Sequence, residues 1–80
     1  MAKGKVRMIP SAVEEQQALP TRARRAVRRA LKQLAKTPHQ GTYDEATNSW
    51  TIVFHHGQGI LVYVATTTPP GLTILRIIHL

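Results

Sequence analysis

The order of elements in these 80 residues predicts an α+β domain, β-α-α-β-β-β, with a two-helix hairpin packed on one face of an antiparallel twisted sheet. Three observations carry that expectation. Thr21 to Lys36 repeats apolar residues at helical spacing. Residues 49 to 80 hold three β-forming runs separated by glycine and proline turns. A short strand-forming run precedes the helices.

Taken in order, Gly4 to Pro10 reads as a first strand, with Pro10 ending it. Ser11-x-x-Glu14 has the form of a capping box opening a first helix, and Leu19-Pro20 interrupts that helix. Pro20 or Thr21 opens the second helix. Its stripe is Ala23, Ala26, Val27, Ala30, Leu31, Leu34 and Ala35, and Thr37-Pro38 stops it. A link this short predicts an antiparallel helix pair. His39 to Ser49 is polar and reads as a loop with at most a short extended piece. Ser49 to His56 alternates as a strand, Gly57-Gln58-Gly59 turns, Ile60 to Thr67 returns, Thr68 to Gly71 turns again, and Leu72 to Leu80 is the last strand.

Eighty residues fit one small domain, 1–80, that buries about 60–65% of its unfolded surface. Cysteine is absent, so disulfides and thiolate metal sites are excluded, a composition that suits the cytoplasm. No apolar run reaches the roughly 18–20 residues of a membrane span, and the first residues lack the apolar core of a secretory signal. Eleven basic residues against four acids give a net charge of +7, which favours a polyanionic or acidic partner over a membrane. The charge is concentrated. Arg22, Arg24, Arg25, Arg28, Arg29, Lys32 and Lys36 share one helix with no acid between them. Ordinary surfaces mix signs, so Arg22, Arg25, Arg28, Arg29 and Lys32 are candidates for binding nucleic acid or an acidic protein.

Strand alternation puts Trp50, Ile52, Phe54, Leu61, Tyr63, Leu75 and Ile77 toward the helices. It puts Thr51, Val53, His55, Ile60, Val62, Ile74, Arg76, Ile78 and Leu80 on the other face. A sheet apolar on both faces needs a second cover: a partner segment, a second copy or a target protein.

The element order and the phrases VRMIPSAVEEQQALPTRARRAVRRALKQLAKTP, GILVYV and LTILRIIHL resemble the RelE/ParE toxins of bacterial type II toxin–antitoxin systems. The resemblance covers nearly the whole chain and rests on the order of degenerate phrases. It implies a toxin held by an acidic antitoxin in a hetero-oligomer; the apolar open face separately allows a homodimer. RelE-like members cut messenger RNA on the ribosome. ParE-like members poison DNA gyrase. A member that acts only through protein binding is a third option.

RelE-like nucleases place cations on the open sheet face to stabilise phosphate charge while the ribose 2′-hydroxyl attacks. Here Thr51 and Val53 match two such lysines, Ile60 and Leu80 match two arginines, and no residue matches the family's tyrosine beyond the last strand. His55, Arg76 and His79 remain as catalytic candidates. An imidazole's ordinary pKa, about 6.5, suits acid–base work. His79 holds the family's last-strand histidine position, although alternation also suits it to a structural role facing the helices. Arg76 stands among isoleucines and leucines and calls for an acidic partner, solvent or a phosphate. His55 and His56, neighbours in a strand, would face opposite ways. No metal or cofactor is called for. Tyr43 in the loop could stack on a base, and Asp44 and Glu45 read as solvated loop acids.

Overall fold

The structure, a computed structural model, describes residues 5–37, 39–67 and 70–80. Five strands and two helices follow the order β1 (Lys5–Met8), α1 (Pro10–Gln17), α2 (Thr21–Lys36), β2 (Thr42–Asp44), β3 (Ser49–Phe54), β4 (Gly59–Thr67) and β5 (Pro70–His79). The sheet order is β1-β5-β4-β3-β2. Strands β2 to β5 form an antiparallel meander, and β1 joins the free edge of β5 in parallel. The α+β class with helices on one face is as expected, but the sheet is mixed, with one more strand than the sequence predicts. The extra strand, β2, is exposed along its length, so no apolar alternation announces it.

Pro10 is the first residue of α1, where its missing N–H costs nothing, and Ile9 is the N-cap with no side-chain bond. The expected Ser11–Glu14 capping box therefore does not form. Ser11 already lies inside the helix, two positions past the N-cap. Helix α2 runs as predicted, with Ala23, Val27 and Leu34 buried and all seven cations outward. Ala23 is buried, and Ala26 and Ala30 pack half-buried against the core.

The core lies between the helices and one sheet face. Leu61, Tyr63, Ile74, Leu34 and Val27 are fully buried. Ile74 was expected on the open face and Leu75 in the core. The structure reverses this, because β5 carries an irregularity where Val62 pairs with Arg76 but Tyr63 pairs with Ile74. The extra residue, Leu75, shifts the alternation by one position. The turn expected at Thr68–Gly71 falls partly outside the described residues, as does Pro38.

Candidate functional site

The far end of the β3–β4 hairpin gathers the histidines. Strand β3 stops at Phe54, earlier than alternation suggests, because His55, His56 and Gly57 all take positive φ (54°, 55° and 85°). Histidine tolerates this conformation better than branched residues, and the pattern at His56-Gly57 is that of a type I′ turn closed by the Gln58 N–H donating to the His55 carbonyl at 3.1 Å. Gly59 then begins β4. A Cβ there would fall within the Phe54 ring, so glycine is what lets that ring lie over the hairpin end.

The same turn ties down the end of β5. The Leu80 N–H donates to the Gln58 carbonyl at 2.8 Å, and His79 sits opposite Gly59. The His55 and His79 rings thereby come to 6.1 Å between centroids, tilted by 35°, and His56 lies 6.2 Å from His55. His55 is half-buried and His79 exposed. The expectation that His55 and His56 point to opposite faces of a strand fails, since neither is in the strand. Two of the three catalytic candidates meet at one sheet end, close enough to share a small group between them. Among the described residues, no group of three or more His, Asp or Glu is arranged to hold a metal ion.

Arg76 lies apart. Beyond Ile74, β1 no longer covers β5, so the Ile77 N–H points to an open edge. Glu15 of α1 fills it: Oε1 accepts from the Ile77 N–H at 3.1 Å, and Oε2 accepts from Arg76 Nε at 3.2 Å. The acidic partner that Arg76 calls for is thus within the chain. The sequence signal was present, an acid on the first helix, but only the sheet order puts it against residue 76.

The open face is apolar as expected, with Val53 59% exposed and Ile60, Val62 and Ile78 half-buried. Arg22, Arg25, Arg28, Arg29 and Lys32 form an exposed basic ridge on α2, with no carboxylate paired to it among the described residues. Between this ridge and β3 runs a groove of about 330 Å³, lined by Arg29, Gln33, Gln40, Val53, His55 and His56 among others. It leads from the basic helix to the histidine end.

Sequence reasoning passed over a second grouping. His39, Tyr43 and Trp50 converge at the opposite end of β3, with the His39 and Tyr43 rings 5.1 and 5.2 Å from Trp50. Tyr63, stacked at 16° and 6.4 Å, continues the row into the core. The Tyr63 hydroxyl accepts the Gly41 N–H at 3.3 Å, and burial pushes its pKa above the ordinary value of 10.

No protein-family model matches the chain, and no curated protein matches it. Solved structures do. The fold is that of a small toxin subunit of toxin–antitoxin complexes, and in particular it is the RelE fold. The chain is similar to a subunit of the RelBE2 toxin–antitoxin complex of Mycobacterium tuberculosis, with a TM-score of 0.84 and 24% identity over 99% of this chain and 100% of that one. It matches a subunit of the intact Escherichia coli RelBE complex at 0.84, with 14% identity over 99% and 98%. The archaeal RelE–RelB complex of Pyrococcus horikoshii gives 0.75 and 14% over 98% and 96%. No helix among the described residues is long and apolar enough to cross a membrane.

Proposed function

We propose that the protein is the toxin of a type II toxin–antitoxin pair, acting in the cytoplasm as a ribosome-dependent messenger RNA endonuclease and silenced by an acidic antitoxin. The observation that carries this reading is a RelE fold, matched over 99% of this chain, in which the acid–base side chains His55 and His79 lie at the end of a groove flanked by a basic helix. Two of the solved neighbours are toxin–antitoxin complexes, and the α2 cations, with no carboxylate partner among the described residues, suit an acidic partner.

One imidazole would take the proton of a ribose 2′-hydroxyl as that oxygen attacks the adjacent phosphorus. The other would give a proton to the departing 5′-oxygen. The P–O5′ bond breaks as the O2′–P bond forms, leaving a 2′,3′-cyclic phosphate and a 5′-hydroxyl. Arg29, in the groove, can offer charge to the phosphate. Arg76, held by Glu15, acts as a docking charge. With Thr51, Val53 and Ile60 in place of cations, the ribosome must supply part of the charge stabilisation.

The test is a defined transcript in a reconstituted translation system. Cleavage at ribosome-occupied codons, with the naked transcript left intact, is expected. An intact transcript at saturating protein sinks the nuclease reading. The apolar open face, with Val53 exposed, favours one second reading, a ParE-like inhibitor of DNA gyrase. Unchanged supercoiling by gyrase at micromolar protein rejects it.

A further inference from the structure

We infer that His39, Tyr43 and Trp50 form a stacking site for unpaired nucleobases of single-stranded RNA, at the C-terminal end of α2 and distinct from the histidine end. Three independent local devices hold these rings in place. Gly41 lies so close to β3 that a Cβ would stand 2.5 Å from the Thr51 carbonyl oxygen, which fixes the segment carrying His39 over Trp50. Register pairs Tyr43 directly with Trp50 on the same face. Asn48, at a φ of 51°, turns its Oδ1 to accept the Tyr43 hydroxyl at 2.7 Å.

The rings are held but not covered. Tyr43 is 45% exposed and His39 is exposed, while Trp50 is half-buried between them. A cluster serving only as core would be closed over by the helices. This one stays open: Tyr43 stands on the short edge strand β2, and Trp50, on β3, packs only partly against the core. Beside it opens a hollow of about 550 Å³ lined by Gln33, Thr37, His39 and Gln40. Its amides carry both donors and acceptors, suited to the edge of a base whose face lies on a ring. The α2 cations, ending in Lys36, supply attraction for the phosphates that join such bases. An acidic peptide would satisfy the cations but leave the rings and amides without a purpose.

The choice of RNA over DNA rests on the proposed function; the stacking site itself does not. Trp50 is the one tryptophan of the chain, so its emission reports on the site. The unaltered protein is titrated with a ten-residue oligoadenylate and with an abasic oligomer of equal length and charge at one salt concentration. Saturable quenching by oligoadenylate is expected, with an affinity about tenfold above the abasic strand. Tyr43→Ala should remove most of that advantage and leave abasic binding unchanged, whereas Tyr43→Phe should retain it. Equal affinity for the two strands, or Trp50 emission that oligoadenylate does not move, overturns the inference. So does equal quenching by a polyglutamate peptide, which would show recognition of charge alone. If Tyr43→Ala does not fold, the two-strand comparison still decides. A protein that cleaves transcripts but binds both strands equally loses only the stacking site. One that prefers the base-bearing strand but cleaves nothing loses only the proposed nuclease.

Discussion

The two faces of the sheet are built from similar residues and do different work. On the covered face, Leu61, Tyr63 and Ile74 have no exposed surface. On the open face, Ile60, Val62 and Ile78 stay half-buried, and Val53 keeps 59% of its surface in solvent. Burial against α1 and α2, not composition, separates the two. On the open face Arg76 is tied to Glu15, and Thr51, Val53 and Ile60 carry no charge, so the candidate side chains for chemistry sit at the sheet's ends: histidines at one, aromatic rings at the other.

The sharpest way to break this contrast is to shorten an aliphatic residue on each face. Leu61→Ala should cost about 2–5 kcal/mol, a large part of the stability of so small a domain. Val53→Ala should stay within about 0.5 kcal/mol. Urea midpoints of the two variants measure the difference; equal losses would mean that the open face is covered in solution.

The margin of β5 gives the next effect. Glu15→Ala removes the acceptor of the Ile77 N–H together with the partner of Arg76, and should cost about 1–3 kcal/mol. Arg76→Ala removes only an exposed ion pair and should cost about 0–1 kcal/mol. Thermal melts compare them. A larger loss from Arg76→Ala would reassign the stabilisation from the edge N–H to the ion pair.

The alternating and helical periods made most of the fold legible. The α2 stripe, the three late strands and the apolar open face follow directly from them. What escaped has local causes. The edge strand β2 is exposed on both faces, so it shows no alternation. Leu75 is an ordinary β-forming residue, and nothing in its neighbourhood marks the shift that moves Ile74 into the core. His55 and His56 adopt a conformation that sequence rules assign first to glycine, so the turn was placed two residues late. The candidate site was half legible. His55 and His79 could be named, but their proximity depends on the bond from Leu80 to Gln58. Tyr43 looked alone until β2 brought it to Trp50.

A smaller effect probes the covered face where it meets the aromatic end. Tyr63→Phe leaves the Gly41 N–H without its hydroxyl acceptor and should cost about 1 kcal/mol near neutral pH. The folded state raises the Tyr63 pKa, so below about pH 10 both states hold the proton and this group adds no pH dependence. Above that, the unfolded chain releases the proton first, and stability falls as pH rises. Denaturant titrations between pH 8 and 11 should show this decline flattened in Tyr63→Phe. An unchanged alkaline slope would place its source in another group.

If the cleavage proposed for this protein takes place at the histidine end rather than on the open face, side chains at that end should control its rate. Single-turnover cleavage of a ribosome-bound transcript compares His55→Gln, His79→Gln and Val62→Ala, an open-face residue outside the groove, with the unaltered protein. Losses of about 100-fold or more are expected for each histidine variant, and a rate within about twofold for Val62→Ala. Full-rate cleavage by both histidine variants, folded and bound to ribosomes, would contradict that placement.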